Sequence, residues 1–270
     1  MNPTEQITPL ILTYNEAPNL RRTLERLTWA KEIVVVDSGS TDDTVAIARS
    51  FPNVRVLVRP FDTFAGQCNF GLEQIQTPWV LSLDADYVLS DELVAELKAW
   101  RPEGAVAGYR AAFRYCVNGR PLRATLYPPR VVFYRREVAR YADEGHGHRV
   151  RINGEVRSLK GWIDHDDRKS LDRWLSEQNK YMIREAAQLL ATPMNQLKLQ
   201  DRLRRHIVIA PFLVFFYTLL AKGLILDGWP GWFYVLQRTY AELLLSLRLL
   251  ERKLADRCGS PKADGGNPNS

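Results

Sequence analysis

Trp79-Val80-Leu81-Ser82-Leu83-Asp84-Ala85-Asp86 is an apolar run that ends in two carboxylates one residue apart. A strand buried on both faces of a parallel sheet reads as a near-continuous hydrophobic run. Open α/β sheets bind their ligands just beyond the carboxyl ends of such strands. Two aspartates placed there suit a hard divalent cation, because Mg²⁺ and Mn²⁺ favour oxygen ligands and leave positions for substrate phosphates. Asp-x-Asp alone is common in solvated loops, so the weight of this reading rests on the chain before it.

That chain alternates strand and helix patterns. Ile7–Thr13 is β-compatible and breaks at Tyr14-Asn15-Glu16-Ala17-Pro18-Asn19, after which Leu20, Leu24 and Leu27 recur at helical spacing. Glu32-Ile33-Val34-Val35-Val36-Asp37 is a β-branched run closed by an acid. Residues 38–44 supply a glycine for a turn and side chains that can cap the next helix. Val54–Val58 reads as a third strand, 64–75 as a helix, and Thr77-Pro78 as the break before Trp79. This alternation predicts a Rossmann-like α/β fold with a mostly parallel sheet. Asp37 and Asp84 both close strands, so they should share one edge of it. Asp37 is suited to accept hydrogen bonds from ribose hydroxyls or a base N–H, or else to cap the turn that follows it. The chain has no Gly-x-Gly-x-x-Gly and no Gly-x-x-x-x-Gly-Lys-Ser/Thr, which argues against a dinucleotide enzyme or a P-loop phosphotransferase.

Three segments then point to one family. Ile11-Leu12-Thr13-Tyr14-Asn15-Glu16, Val35-Val36-Asp37-Ser38-Gly39-Ser40-Thr41-Asp42 and Leu83-Asp84-Ala85-Asp86 resemble, in order and spacing, the N-terminal signatures of family-two inverting glycosyltransferases. These have the A-type nucleotide-sugar-binding fold. Phe61-Asp62-Thr63-Phe64-Ala65-Gly66-Gln67-Cys68-Asn69-Phe70 resembles the branch that includes lipopolysaccharide-core glucosyltransferases, which often carries a basic residue where Cys68 stands and an acid where Tyr87 stands. The resemblance implies transfer of a sugar from a nucleotide donor, UDP by the pocket, to a lipid or lipid-linked glycan hydroxyl in cell-envelope polysaccharide synthesis. It implies that Thr13, Tyr14, Glu16, Asp37, Gln67 and Asn69 line the uridine pocket. Asp84 and Asp86 would hold Mg²⁺ or Mn²⁺ together with the donor diphosphate.

The second half must supply the acceptor site and a base. From Gly104 the pattern changes to short β segments, with 106–115 and 130–135 as strands and Val117-Asn118-Gly119-Arg120 as a turn. Tyr141-Ala142-Asp143-Glu144-Gly145-His146-Gly147-His148 reads as a mobile polar loop. An inverting transfer needs a carboxylate within hydrogen-bond reach of the acceptor hydroxyl. Asp143 or Glu144 is the candidate base, and the resemblance places the family's base in this loop without choosing between them. His146 and His148 lack the partners of a tetrahedral zinc site. In Trp162-Ile163-Asp164-His165-Asp166-Asp167-Arg168 the resemblance makes His165 a metal or diphosphate contact. Asp166 and Asp167 are expected at the N-terminus of a helix starting near Ser170. Arg123, Arg130 and Arg168 are candidates for neutralising a diphosphate or an anionic acceptor. An amphipathic helix follows over 171–190 and is expected to pack on the catalytic domain.

The last third is apolar. Residues 207–226 are nearly uncharged and just long enough for a membrane span of about 20 residues. Asp227-Gly228-Trp229-Pro230-Gly231 reads as a turn. Residues 232–250 carry Gln237, Arg238, Glu242 and Arg248, which makes them a poor independent span and an acceptable interfacial helix. Lys198, Arg202, Arg204 and Arg205 precede the pair, and Arg252, Lys253 and Arg257 follow it. Basic flanks mark the cytoplasmic side, so both ends should lie there, as in a re-entrant or interfacial hairpin. The expected division is a catalytic domain over 1–195, membrane-associated helices over 196–257 and a disordered tail over 258–270.

The chain has 270 residues, a formal net charge of +6 and three cysteines. The charge suits an anionic membrane surface, and no nucleic-acid-binding signature is present. The cysteines form no disulfide framework and fit a reducing cytosol. The first residues are short and polar rather than a signal peptide. These features place the expected protein at the cytoplasmic face of the inner membrane. Two other classes fit the sequence less well. A metal-dependent nucleotidyltransferase would show a glycine-rich basic loop after the first strand, and the chain has none. A non-catalytic sugar-nucleotide-binding protein is disfavoured by the joint presence of Asp37, Asp84 and Asp86. The sugar, the acceptor and the oligomeric state stay open.

Overall fold

The computed structural model describes residues 3–144 and 147–258, apart from the side chains at 3, 143, 144, 147–149, 257 and 258. Gly145, His146 and the tail from 259 lie outside the described residues.

The first part of the chain runs β1 (Ile7–Thr13), α1 (Leu20–Glu25), β2 (Ile33–Asp37), α2 (Thr44–Arg49), β3 (Val54–Val58), α3 (Phe64–Glu73) and β4 (Trp79–Asp84). β3, β2, β1 and β4 pair in that order, all parallel. β1 therefore has β2 on one side and β4 on the other, and the order reverses there; such a switch point is where open α/β sheets bind ligands. Strand alternation sorts the core. Ile33 and Val35 pack with Leu20, Leu24 and Leu27 on one face of the sheet, and Val34 and Val36 with Ala65, Cys68 and Leu72 on the other. Gly71 in α3 allows that helix to close on the sheet, since a Cβ there would stand 2.5 Å from Leu10 Cδ1.

β5 (Tyr87–Leu89) and α4 (Asp91–Ala99) follow, then β6 (Val106–Val117), β7 (Arg120–Pro121), β8 (Arg130–Arg135), β9 (Ala139–Glu144), β10 (Gly147–Ile152) and β11 (Glu155–His165). The sheet continues from β4 through β8, β6 and β11 to β5, with β7 paired to β6. It is mixed in this half: β8 is antiparallel to both neighbours, and β6 and β11 are parallel. Only Ala85 and Asp86 join β4 to β5, although three strands separate them in the pairing order. Three extended steps reach at most about 11 Å, whereas four strand spacings in a flat sheet need about 19 Å. The sheet must therefore curl until its last strand returns beside the end of β4.

Two expectations change here. Most of the stretch expected as a loop over 141–148 is strand: the end of β9 pairs antiparallel with the start of β10, Asp143 with His148 and Glu144 with Gly147, while Gly145 and His146 lie outside the described residues. The chain also divides earlier than expected, into compact units 1–170 and 171–270 rather than after 195. The helix at 171 belongs with the C-terminal helices because its buried Ala186 and Leu189 pack with Leu245 and Leu249.

The second unit contains α5 (Leu171–Ala191), α6 (Leu199–Arg204), α7 (Ile209–Phe216) and α8 (Gly228–Cys258). A π-helical turn over Tyr217–Ala221 and a 3₁₀ turn over Leu224–Asp227 join α7 to α8. Gly223, in the left-handed region at φ 68°, is the bend. The turn expected at 227–231 is instead the end of this connection and the first residues of α8. Among the described residues no single helix is long and apolar enough to cross a membrane. The pair Ile209–Ala221 and Leu224–Asp256, bent by 66°, has the required length and composition jointly.

Candidate active site

The parallel register brings three predicted residues to one edge. Thr13 pairs with Asp37 and Leu12 with Asp84, so β1, β2 and β4 end together. Asp37 is 1 % exposed. Its Oδ2 accepts from Thr13 Oγ1 at 2.8 Å and Ser40 Oγ at 2.5 Å, and its Oδ1 from the Gly39 and Ser40 N–H groups at 3.0 and 2.8 Å. Asp37 thus organises the loop after β2 and fastens it to β1. The loop after β1 is laced to it as well: Ser40 Oγ accepts from the Asn15 N–H, Asn15 Oδ1 from the Thr41 N–H and Thr44 Oγ1 from the Glu16 N–H. Tyr14 lies in the same loop and is half exposed.

Gln67 and Asn69 take different roles. Gln67 Nε2 donates to the carbonyls of Arg59 and Pro60 at 3.0 and 3.1 Å and lies 3.3 Å from Ser38 Oγ. Two carbonyl acceptors fix the amide's orientation, and Gln67 Oε1 is left buried with no partner. That buried acceptor therefore lacks a donor. Asn69 spends both ends of its amide on the backbone of Tyr141 in β9. Its visible role is to hold that strand rather than to line a pocket.

At the end of β4, Asp86 is 8 % exposed and meets His165 at the end of β11, with Nε2 to Oδ2 at 3.2 Å. Rings of Tyr87, Tyr115 and Tyr127 surround His165, with centroids 5.4, 5.0 and 4.9 Å away. Burial opposes both charges, but the pair overcomes it. Asp86 is held below the usual carboxylate range by His165 and Lys169, and His165 is raised by Asp86 and Asp84. Burial first, and the Asp84 carboxylate second, push the Tyr87 and Tyr127 hydroxyls up, so both stay neutral. Asp86 Oδ1 and His165 Nδ1 are buried without partners. An unpaired carboxylate oxygen is what a hard cation would use. Among the described residues no three His, Cys, Asp or Glu side chains are gathered around one metal position. The residues fit a cation held by Asp84 and Asp86 with the remaining positions filled by a donor's phosphates, not a closed protein cage.

Several residues here carried no sequence signal. Lys169 is largely buried, bonds Glu16 Oε1 at 2.9 Å and lies 3.6 Å from Asp167. Burial would lower it, but Glu16, Asp167 and Asp86 keep it charged. Asp166 is not part of a helix N-terminus as expected. It receives Arg22 Nη1 at 2.6 Å, Arg168 Nε at 3.0 Å and the Gly119 N–H at 3.0 Å, while its own N–H donates to the Asp86 carbonyl at 3.1 Å. Asp167 accepts from Asn19 Nδ2 at 2.8 Å and from the Lys169 N–H at 3.1 Å. These two acids fasten the end of β11 to α1. Asn19 and Arg22 sit three apart on one helix face, but their partners lie more than 140 positions away in sequence, beyond any local pattern. Arg168 is committed to Asp166, and Arg130 stacks on Tyr127 with 4.3 Å from guanidinium to ring centroid. Arg123 and Arg130 are exposed. Asp143 and Glu144 occupy the end of β9, and their side chains lie outside the described residues.

A cavity of about 440 Å³ opens at the opposite, amino-terminal edge of the parallel strands, lined by residues including Thr8, Lys31, Arg55 and Thr77. It contains none of the residues above.

Known proteins share parts of this chain. The chain is 38 % identical over 121 residues to the "Lipopolysaccharide core biosynthesis glycosyltransferase LpsC" of Rhizobium meliloti, a match covering 42 % of this chain and 44 % of that protein. It is 40 % identical over 96 residues to an uncharacterized glycosyltransferase of Rickettsia conorii, covering 35 % of this chain and 34 % of that one. The matches thus span less than half the length of these relatives. Among solved structures, S. aureus TarS 1-349 in complex with UDP-GlcNAc aligns over 94 % of this chain and 92 % of that one, at 18 % identity and a TM-score of 0.46. Residues 10–152, more than half of the chain and inclusive of every acid on the β1–β4 edge, match Glycosyl transferase family 2, and the chain belongs to that family.

Proposed function

We propose that this protein transfers a sugar, with inversion, from a UDP donor to a hydroxyl of a lipid or lipid-linked glycan at the cytoplasmic face of a membrane. The observation that carries the reading is the meeting of Asp37, Asp84, Asp86 and His165 at the carboxyl edge of the sheet, at its switch point, in a chain of this family. The Asp37 loop and the unpaired Gln67 Oε1 suit a ribose and the imide N–H of uracil. Asp84 and Asp86 would hold Mg²⁺ or Mn²⁺ against the diphosphate, where a cation neutralises the charge on the leaving group. Lys169 adds a fixed positive charge near Asp86. His165 orients the Asp86 carboxylate through the Nε2 contact. Asp143 or Glu144 takes the proton of the acceptor hydroxyl as its oxygen bonds to the anomeric carbon; the bond from that carbon to the diphosphate oxygen breaks, and the configuration inverts.

The likeness to a protein named for lipopolysaccharide core biosynthesis supports an envelope glycan as acceptor. The test is release of UDP from a panel of UDP-sugars with and without Mn²⁺, using extracted cell-envelope glycolipid as acceptor, with the anomeric configuration of the product read by NMR. UDP release that depends on acceptor, with inverted configuration, is the expected result. Pyrophosphate release from a nucleoside triphosphate with no sugar transfer would favour a nucleotidyltransferase and overturn the proposal.

A further inference from the structure

The second unit has one polar side and one apolar side. Along α5 the residues Asp172, Ser176, Lys180, Arg184 and Gln188, four apart, are all exposed and form a polar row, beside which Leu171, Ile183 and Leu190 are also exposed. α8 is the reverse. Between Trp229 and Leu250 its exposed residues are Trp229, Phe233, Leu236, Tyr240, Leu243, Leu247 and Leu250, at alternating intervals of four and three, and Trp229 is 86 % exposed. α7 packs against α8 and adds exposed Phe212, Leu213 and Phe216, and the π-helical turn after it adds Leu220. From Val208 to Leu250 every exposed side chain is aliphatic or aromatic.

Of the charges in that stretch Glu242 is turned inward, and Lys222, Asp227, Arg238 and Arg248 are half-buried. Glu242 is 3 % exposed and bonds Arg204 Nη2 at 2.6 Å, and Arg248 Nη2 donates to Asn179 Oδ1 at 2.8 Å. Water would favour the opposite arrangement. Exposed basic residues stand at both ends of the apolar stretch, Lys198 and Arg202 before it and Arg252 and Lys253 after it.

We infer that α7 and α8 lie within one leaflet of an anionic membrane, apolar face toward the acyl chains, and do not cross it. This deepens the membrane reading proposed above and rests on it. A spanning unit would need to be apolar on all sides facing lipid, and the α5 face is not. A coiled-coil seam with a second copy of the chain would be a narrow stripe flanked by charged positions. Here the surface is two helices wide, and the charges between its ends are half-buried or buried rather than fully exposed. Basic flanks at both ends complement anionic headgroups.

The test uses the full chain with vesicles of phosphatidylglycerol and phosphatidylcholine, and with phosphatidylcholine alone. We expect flotation with the anionic vesicles, weaker flotation with the neutral ones and release at alkaline pH. A component of tryptophan fluorescence quenched by brominated lipid should vanish in Trp229→Phe. The double variant Leu236→Glu/Leu243→Glu should lose flotation while retaining its helical circular dichroism and its donor-induced thermal shift. Resistance to alkaline release would mean that the helices span, and would overturn the inference. So would a lipid-free dimer that the double variant converts to monomer, because the face would then belong to a second copy. If sugar transfer is never observed but flotation and quenching hold, the proposed activity fails and the leaflet placement stands.

Discussion

Asn69 grips the backbone of Tyr141 from both sides: its Nδ2 donates to the Tyr141 carbonyl at 3.0 Å, and its Oδ1 accepts from the Tyr141 N–H at 3.1 Å. The Tyr141 hydroxyl in turn donates to Ser82 Oγ at 2.9 Å, two residues before Asp84 in β4. The strand that carries Asp143 and Glu144 is therefore tied both to α3 and to the strand that carries the acidic edge. Asn69→Ala should lower turnover by up to about 10²-fold, the scale of an ångström-size misplacement, with donor KM nearly unchanged. An equal rise in donor KM would return Asn69 to the nucleotide pocket.

The acidic edge should depend on a divalent cation. We expect Asp86→Ala to abolish transfer and Asp84→Ala to lower it severely, because the leaving diphosphate then lacks charge neutralisation. Chelation with EDTA should silence the wild-type protein, and Mn²⁺ or Mg²⁺ should restore it. Activity that is indifferent to chelation refutes the metal assignment.

Asp37 should act on binding. Its hydrogen bonds shape the loop after β2 and fasten it to Thr13 of β1, and that arrangement is made before the transition state is reached. Asp37→Ala should therefore weaken donor affinity more than it slows the chemical step. An unchanged donor KM with a collapsed kcat would contradict this.

The base remains to be chosen between two neighbours. Asp143→Asn and Glu144→Gln keep shape and remove basicity. One of them should cut turnover by about 10²–10⁴ with UDP-sugar binding intact, as read by isothermal titration calorimetry. Full activity in both moves the base to another residue.

Asp166 should matter to stability. It is nearly buried, and two arginines and a backbone N–H converge on it. Removing one partner of such a pair costs about 3–5 kcal/mol, since the other charge is left uncompensated. Asp166→Ala should lower the urea midpoint accordingly, and Asp166→Asn should lower it less. A change below about 1 kcal/mol would place this cluster among ordinary surface pairs.

The donor half was legible because its signals are local. β1, β2, β3 and β4 are short apolar runs, and the acids that close β2 and β4 lie within them, so pattern and topology place Asp37 and Asp84 on one edge without further information. The other half of the site depends on long-range partners. His165 meets Asp86 across 79 positions and Asp166 meets Arg22 across 144, and no periodicity reports such distances. The polarity of 141–148 reads as a loop, yet most of its backbone pairs as strand, because the Asn69 contact and strand pairing outweigh the weak β propensity of glycine and acids. In the second unit composition revealed the apolar run, but not that Glu242 faces inward to Arg204.

The two-residue link between β4 and β5 has a mechanical meaning. Ala85 and Asp86 are the stitch that draws the sheet closed, so the spacing of 84–87 is specified as tightly as its chemistry. Surface loops elsewhere absorb an added residue at little cost. Here a single inserted residue would slacken the stitch. Tyr87, which pairs with His165 at the end of β11, would then be free to drift away from the end of β4. The acids could remain chemically intact and still lose their alignment with each other.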